Sequence, residues 1–269
     1  MIELHSQPTP NGQKVMIMLE ETGLPWTHID VNIRVGDQFK PEHLRLSPNN
    51  KIPAIVDTEG PGGQPYTMME SGAILVYLAE KTGRFLPADP RRRYDTLQWL
   101  IFQMAHVGPM FGQANHFNTQ AKDNEYGKNR YNNEAKRLYR VLDNRLRDSA
   151  WLGCDEYTIA DMATYPWCKG HAEKDVGPVT HPHFMRWFAA MEARPAVQRN
   201  NRLAAEIREL AASFNEMADR LGRIIEQQRA FAGDASHQLR TPLTALRLRL
   251  ERAATEVVND PDAALGNVE

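Results

Sequence analysis

The first 88 residues alternate between strand and helix patterns, and this alternation limits the fold more than any other feature of the sequence. Short runs of strand-forming residues predict strands at 2–5 and 27–33. Between them a helix is predicted over 13–22, because apolar residues recur at the spacing of one helical face: Val15, Met18 and Leu19. The chain therefore begins with a β-α-β unit.

A second unit of strands and a helix follows. Strands are predicted at 53–57 and 66–69, on either side of the segment Glu-Gly-Pro-Gly-Gly-Gln-Pro, and a turn rich in glycine and proline favours a hairpin. A helix is predicted over 71–83, with Gly83 as its stop signal. The order β-α-β, then β-β-α, is that of the thioredoxin-like α/β fold, which we assign to residues 1–88.

Residues 89–200 show no convincing strand pattern and predict an all-helical domain. The segment Leu-Pro-Ala-Asp-Pro-Arg-Arg-Arg, at 86–93, has the composition of a linker between the two domains. Helices are predicted at Arg92–Val107, Tyr126–Arg147, Thr158–Ala172 and His183–Ala193. Thr158 and Asp161 have the spacing of a capping box, so Asp161 is predicted to be structural rather than catalytic.

Composition excludes several classes of protein. Apolar residues make up 42% and charged residues 25%, as in ordinary globular proteins. The 32 basic and 34 acidic residues nearly cancel, so we expect no nucleic-acid or membrane partner. No apolar run approaches the roughly 20 residues of a membrane span and no secretory signal is seen, so a cytoplasmic location is expected. His181, His183 and the two cysteines lack the spacing of a metal site, so no metal is expected.

Five motifs occur in order along the first 200 residues. They are PTPNGQK, SPNNKIPAIVD, MESGAILVYLAE, LQWLIFQMAHVGPMFGQANHF and WLGCDEYTIADMATYPW. With these motifs the chain resembles the glutathione transferase family over about 1–200, and within it the bacterial Nu class, which is similar to glutathione-dependent disulfide-bond oxidoreductases. The resemblance implies a thioredoxin-like domain followed by an all-α domain, glutathione as a substrate, and a homodimer.

Thr9 and Asn11 are the candidate catalytic residues. A free thiol has a pKa near 8.5, so glutathione is a weak nucleophile unless a site stabilises its thiolate. Both residues lie just before the first predicted helix, whose unpaired N–H groups favour an anion, and the resemblance implies that they flank the sulfur. The first tyrosine is Tyr66, which excludes the tyrosine type of this family, and Ser6 is a weaker candidate. The alternative is that Thr9 and Asn11 only cap the helix.

The resemblance also implies a set of glutathione-binding residues. A cis peptide is implied between Ile52 and Pro53, which would present the Ile52 backbone to the cysteinyl part of glutathione. Glu70 would accept the ammonium of the γ-glutamyl group, while Ser71 would hold its carboxylate and cap the following helix, or only cap it. Three further residues match positions around the glutathione backbone: Gln38, Asn50 and Lys51. Three more, from the helical domain, are similar to residues that close the site, in one arrangement across a dimer: Gln113, Asn115 and Arg130.

No cysteine precedes Cys154, so glutathione must supply the reacting sulfur, unlike in an enzyme that attacks with its own thiolate. Cys154 and Cys168 are predicted to be packing residues. We therefore expect a glutathione-dependent thiol-disulfide oxidoreductase, with conjugation to an electrophile as the closest variant. A non-catalytic glutathione-binding protein is a further alternative. No motif identifies the second substrate, which we expect to be a small disulfide or an electrophile.

The composition changes at residue 201, after which Lys, Trp, Tyr and Cys no longer occur. Seven apolar residues then follow the 4-3 spacing of three heptads: Leu203, Ile207, Leu210, Phe214, Met217, Leu221 and Ile224. Four leucines resume the pattern one residue out of phase: Leu239, Leu243, Leu246 and Leu250. Residues 201–269 are therefore predicted to form a coiled-coil-like helical extension that pairs with another helix over 203–257.

The extension contains a second resemblance. The segment FAGDASHQLRTPLTALRLRLE resembles the phosphoacceptor helix of sensor histidine kinases, and EIRELAASFNEMADRL resembles the second helix of a HAMP linker. His237 would be the phosphoacceptor, although Gln238 replaces the Glu common in that family, and Pro242 would bend the helix one turn later. No ATP-binding domain is seen after this segment, so we expect no kinase activity from the chain alone. The alternative function is an inert dimeric carrier or signalling module that displays His237.

Overall fold

The computed structural model describes the backbone of residues 1–259, and their side chains except at 211, 215, 230–239, 241 and 253–259. Residues 1–208 form one compact unit, and the described residues from Glu209 to Asn259 belong to a second. The two units are described separately below.

The N-terminal part of the first unit is a four-stranded mixed sheet with helices packed on it. In chain order its elements are β1 (Ile2–Ser6), α1 (Pro10–Thr22), β2 (Trp26–Asp30), α2 (Pro41–Leu46), β3 (Ala54–Asp57), β4 (Tyr66–Met69) and α3 (Ser71–Thr82). The sheet order is β2-β1-β3-β4; β1 is parallel to β2, and the other neighbours are antiparallel. The predicted thioredoxin-like fold is confirmed.

This topology brings three chain segments to one edge of the sheet. β1 and β4 both run antiparallel to β3, so their carboxyl ends lie where β3 begins, and His5 and Met69 are both in register with Ala54. α1 follows β1, α3 follows β4, and Pro53 precedes β3. The amino-terminal ends of α1 and α3 therefore meet beside Pro53.

Apolar packing fixes the two helices on the sheet. Leu4 of β1 lies opposite Ile55 of β3, and both side chains are fully buried. Val15 of α1 and Leu75 of α3 belong to the same buried cluster. Each such side chain stabilises the fold by about 1.5–3 kcal/mol relative to an exposed one.

The rest of the described chain is helical. It contains α4 (Pro90–Phe102), α5 (Gly108–Thr119), α6 (Glu125–Arg147), α7 (Ile159–Thr164), α8 (Pro182–Glu192) and α9 (Pro195–Asn259). α6 matches its prediction closely. It is capped by Asn124, whose Oδ1 accepts from Gly127 N at 2.9 Å, and it buries Leu138, Leu142 and Leu146 at helical spacing.

The predicted helix over 92–107 is too short at both ends. α4 begins at Pro90, a π-helical turn follows at Gln103–Val107, and α5 continues to Thr119. Glycine and proline at 108 and 109 normally interrupt a helix. Here they open α5, and a proline in a first helical turn forfeits no hydrogen bond.

Other predicted boundaries also need correction. α1 begins three residues before 13, and the strand predicted over 27–33 ends at Asp30. The helix predicted over 158–172 is α7 followed by a 3-10 turn at Tyr165–Cys168, because Pro166 cannot donate within an α-helix. The short helix α2 is absent from the predictions, since six residues carry too little periodicity.

The capping box before α7 is confirmed. Thr158 and Asp161 exchange their side-chain and backbone hydrogen bonds, and Asp161 is fully buried. Its Oδ1 also accepts from Leu152 N and from Trp187 Nε1, both at 2.8 Å. Burial raises the pKa of Asp161 to about 6 against the opposing effect of these hydrogen bonds. Asp161 thus links the start of α7 to α8 through hydrogen bonds.

The second unit is the continuation of α9, which runs through Pro242 without ending. Its described seam residues are exposed, among them Leu210 at 72% and Leu221 at 53%. Coiled-coil pairing of this face remains a prediction. The side chain of His237 lies outside the described residues, so the phosphoacceptor hypothesis also stays untested.

Two features of the described residues bear on membrane and metal functions. No helix there has the length and hydropathy that a membrane span requires. No group of three or more His, Cys, Asp or Glu side chains is arranged there to hold a metal ion.

Candidate functional site

The amino-terminal end of α1 has the properties of an anion site. Thr9 occupies the N-cap position, and its Oγ1 accepts from Gly12 N at 3.3 Å. This capping bond uses the hydroxyl oxygen, so the hydroxyl proton remains a donor. Gly12 is required, because a Cβ there would lie 2.1 Å from the Gln7 carbonyl oxygen. The capping hypothesis for Thr9 is therefore confirmed, and it is compatible with a second role as a donor.

Asn11 lies in the first turn of α1, and its amide is held in one orientation. Trp167 Nε1 donates to Asn11 Oδ1 at 2.9 Å. An indole N–H is only a donor, so the acceptor must be the amide oxygen and the Asn11 Nδ2 group takes the opposite side. The two Nδ2 hydrogens are then available to an anion.

A cleft of about 270 Å³ opens beside Asn11. Its walls come from α1, the segment before β3, the start of α3 and the π-helical turn: Asn11, Ser47, Asn49, Lys51, Ile52, Pro53, Glu70, Ser71 and Met104. The structure thus brings together six of the residues that the sequence indicated, and Thr9 lies two positions before Asn11. The Ile52–Pro53 peptide is cis, as the resemblance implied.

Ser71 does not cap α3, which corrects the sequence prediction. The N-cap position belongs to Glu70, which has φ +69° and forms no side-chain capping bond. Positive φ is strained for glutamate, and such strain concentrates at functional sites. Ser71 is the first helical residue and is 4% exposed, and its Oγ accepts from Lys14 Nζ at 3.4 Å instead.

Lys14 is a feature of the site that the sequence analysis missed. It lies one helical turn after Asn11, its side chain is 1% exposed, and Nζ also donates to Gln103 Oε1 at 2.8 Å and contacts Met104 Sδ at 3.4 Å. Burial lowers the pKa of Lys14 to about 7, and the charge of Glu70 partly opposes this effect. The i, i+3 relation to Asn11 was the available signal, since it places both residues on one face of α1.

The remaining predicted residues lie elsewhere in the chain. Gln38 is half-buried in a 3-10 turn, and no hydrogen-bond partner for its Oε1 occurs among the described residues. Asn50 has φ +48° and lies between two cleft residues without being part of the lining. Gln113 and Arg130 are exposed, and Asn115 lines a second cleft of about 450 Å³.

Both cysteines are buried and free, as packing residues would be. Cys154 is 7% exposed and Cys168 is 0% exposed. Burial raises the pKa of the Cys168 thiol well above its ordinary value. A thiol that is buried and protonated is a poor nucleophile.

Comparison with known families establishes the family of the chain. Residues 9–81 match the family described as Glutathione S-transferase, N-terminal domain, and residues 100–195 match Glutathione S-transferase, C-terminal domain. The chain belongs to the glutathione S-transferase family. The matched residues include Thr9, Asn11 and the whole lining of the 270 Å³ cleft.

Individual proteins that are similar to this glutathione S-transferase carry names from the same family. Disulfide-bond oxidoreductase YfcG of Escherichia coli is 48% identical over 198 residues, covering 73% of this chain and 92% of that protein. A Pseudomonas fluorescens glutathione transferase family member, solved with two glutathione molecules bound, is 50% identical with a TM-score of 0.71; the match covers 74% of this chain and 91% of that one. A Pseudomonas putida transferase, with one glutathione disulfide bound per subunit, is 48% identical with the same TM-score and covers 74% and 90%.

Proposed function

We propose that this transferase is an enzyme that reduces disulfides with glutathione, whose thiolate it holds between Thr9 and Asn11. The orientation of Asn11 by Trp167 is the observation that carries the proposal, because it turns an amide donor away from the protein interior at the end of a helix. The relatives named for disulfide-bond oxidoreduction and for bound glutathione support the same assignment.

The thiolate is stabilised by three effects in one place. The first turn of α1 presents unpaired N–H groups and the positive end of the helix dipole. Thr9 Oγ1–H and Asn11 Nδ2–H add side-chain donors. Hydrogen bonds to a charged group are each worth about 1.5–3 kcal/mol, so together they lower the thiol pKa and raise the thiolate fraction at neutral pH.

The reaction is two successive exchanges. The bound thiolate GS⁻ attacks one sulfur of a disulfide R–S–S–R, an S–S bond forms as the old one breaks, and RS⁻ leaves and takes a proton from solvent. A second glutathione thiolate attacks the mixed disulfide G–S–S–R and releases the second thiol. Two glutathione molecules are oxidised to one glutathione disulfide, and one R–S–S–R is reduced to two R–SH.

The other cleft residues hold the body of glutathione in this proposal. The Ile52 backbone pairs with the cysteinyl part, Ser71 binds the γ-glutamyl carboxylate, and Glu70 binds the ammonium. The buried ammonium of Lys14 behind Ser71 supports the carboxylate assignment. Gln38, Asn50, Lys51 and Pro53 complete the contacts.

The active assembly is proposed to be a homodimer. Gln113 and Arg130, both exposed in one chain, would then close the site from the partner's side, whereas Asn115 would act from the second cleft of its own chain. The exposed heptad face of α9 would pair with the same face of a second copy. The family matches give no support to the alternative of an inert carrier that displays His237.

The proposal is tested by assaying the purified chain with glutathione and bis(2-hydroxyethyl) disulfide, and in parallel with glutathione and 1-chloro-2,4-dinitrobenzene. We expect reduction of the disulfide to exceed conjugation of the aromatic electrophile. Faster conjugation with no disulfide reduction would assign the conjugation variant instead. Glutathione binding without turnover of either substrate would assign a non-catalytic binding protein.

A further inference from the structure

The second cleft, of about 450 Å³, is linked to the glutathione cleft by one hydrogen bond between their linings. Trp167 lines the second cleft and donates its indole N–H to Asn11, which lines the first. Pro10 and Gln13, from the first turn of α1, also belong to the second lining. A disulfide whose sulfur lies at Asn11 therefore extends naturally into this cleft.

Among the described residues, three cationic side chains line the second cleft, and Glu173 is the one acidic side chain beside them. Two of the cations lie in the segment between α7 and α8 and the third lies on α9: Lys169, Lys174 and Arg208. Among the residues that the structure describes, none of the three forms an ion pair within 4 Å. The cleft therefore carries an excess of positive charge.

Neutral oxygen atoms hold these cations in place. Lys169 Nζ donates to Gln13 Oε1 at 2.5 Å and to Asn201 Oδ1 at 2.7 Å. Lys174 Nζ donates to the Asn132 side chain at 2.9 Å.

Arg208 is held in the same way, since its Nη2 donates to the Pro8 carbonyl at 3.0 Å. Amide and carbonyl oxygens position a cation without neutralising it, so the positive charge stays available to a ligand.

The cations also act on one another. Burial and, to a smaller extent, the nearby charge of Arg208 lower the pKa of Lys169 to about 8, while Glu192 opposes both effects. A bound anion reduces the repulsion between like charges that are held close together, so the cleft favours anionic ligands.

We infer that this cleft receives the half of the second substrate that leaves as a thiolate, and that the enzyme prefers disulfides whose ends carry carboxylate groups. The inference rests on the proposed function and names its substrate class. The step is the exchange already described: the carboxylate-bearing half sits among Lys169, Lys174 and Arg208 while glutathione attacks the sulfur at Asn11, and it departs as the anionic thiol.

The family match ends at residue 195, and Arg208 lies beyond it on α9, in the segment whose composition differs from the first 200 residues. Its guanidinium donates to the carbonyl of Pro8, the residue before Thr9. The start of the extension thus completes a substrate cleft.

The test compares three disulfides of similar size and different charge: 3,3′-dithiodipropionate, bis(2-hydroxyethyl) disulfide and cystamine. For the wild type we expect kcat/KM to decrease in that order. Arg208→Gln and Lys174→Gln should each lower the ratio of kcat/KM for the dianionic over the neutral disulfide by about 3- to 10-fold. Arg202→Gln, a change of an exposed α9 arginine outside the cleft lining, is the matched control and should leave the ratio unchanged.

A binding measurement separates this inference from the proposed function. 3,3′-Dithiodipropionate is titrated into the chain without glutathione, and its binding is followed by tryptophan fluorescence and by competition with added salt. Salt-sensitive binding that weakens in Arg208→Gln supports the inference, even if no disulfide is reduced. Absence of disulfide reduction would contradict only the proposed function. Equal kcat/KM for all three disulfides with no such binding, or an equal loss in Arg202→Gln, would overturn the inference.

Discussion

Trp167 Nε1 donates to Asn11 Oδ1 at 2.9 Å, across 156 residues of sequence, and joins the helical domain to the first turn of α1. The contact determines which end of the Asn11 amide faces the cleft. A residue of the second domain thereby sets the donor geometry of a site built mainly on the first.

Replacing Asn11 with alanine removes the side-chain donor and leaves the helix start intact. We expect kcat/KM for disulfide reduction to fall about 10- to 100-fold, the worth of one hydrogen bond to a charged sulfur. Steady-state kinetics measure the loss, and urea unfolding checks that the free energy of unfolding changes little. Unchanged turnover would remove Asn11 from the catalytic residues.

Trp167→Phe tests the orienting contact separately. Phenylalanine keeps an aromatic ring but has no N–H, so the Asn11 amide is free to rotate and activity falls by less than in Asn11→Ala. Because both changes act on one amide donor, the pKa of the bound glutathione thiol should be no higher in the double variant than in Asn11→Ala. Additive pKa shifts in this double-mutant cycle would show that Trp167 acts independently of Asn11.

Lys14→Met should change how stability depends on pH. Burial lowers the pKa of Lys14 to about 7 in the folded chain, whereas lysine in an unfolded chain has a pKa of about 10.4. At pH values between these two pKa values the unfolded state binds more protons than the folded state. The free energy of unfolding of the wild type therefore rises with pH, by up to ~4 kcal/mol between pH 7 and about pH 10.4. The variant lacks this pH-dependent gain in the free energy of unfolding. Urea unfolding at pH 7 and pH 9 without glutathione measures it, and equal pH slopes in both proteins would contradict a buried, titrating Lys14.

The same variant should bind glutathione less well despite being more stable at pH 7. Lys14 contacts Ser71, to which we assign the γ-glutamyl carboxylate, so its loss should weaken binding of S-methylglutathione about fivefold, the value of a partly screened charge. Isothermal titration calorimetry measures this affinity. The exposed Lys122 provides the control Lys122→Met, and equal affinities in all three proteins would separate Lys14 from glutathione binding.

Asp161→Ala should cost stability through lost hydrogen bonds. The carboxylate accepts from Leu152, Thr158 and Trp187, all buried, and its removal leaves these donors without an acceptor. We expect a loss of about 2–4 kcal/mol in the free energy of unfolding, measured in urea. The exposed Asp155 gives the control Asp155→Ala, which should change stability far less. A small effect of Asp161→Ala would contradict its structural role.

Much of the fold follows from local patterns. Val15 and Leu19 predict α1, the glycine-rich turn predicts the β3–β4 hairpin, and Thr158 with Asp161 predicts the start of α7; all are seen. These signals lie within a few residues of the feature that they specify, so a single sequence is sufficient to find them. The helix predicted over 92–107 stops too early, because a π-helical turn at Gln103–Val107 lets α5 follow directly from Gly108.

The candidate site was predictable only in part, because several of its contacts join distant segments. Thr9, Asn11 and Ser71 stand at helix starts, which the sequence marks. The bonds from Trp167 to Asn11 and from Arg208 to Pro8 span more than 150 residues, and no local periodicity indicates them. Lys14 has partners 57 and 89 residues away, so its burial is a consequence of tertiary packing.

The central claim is that the start of α1 holds glutathione as a thiolate, and ultraviolet absorbance near 240 nm, recorded against pH for the glutathione-saturated chain, measures this directly. We predict that the pKa of the bound thiol lies at least one unit below the roughly 8.5 of a free thiol, and that it returns towards the free value in Asn11→Ala. A bound thiol that titrates like free glutathione in both proteins would contradict the account.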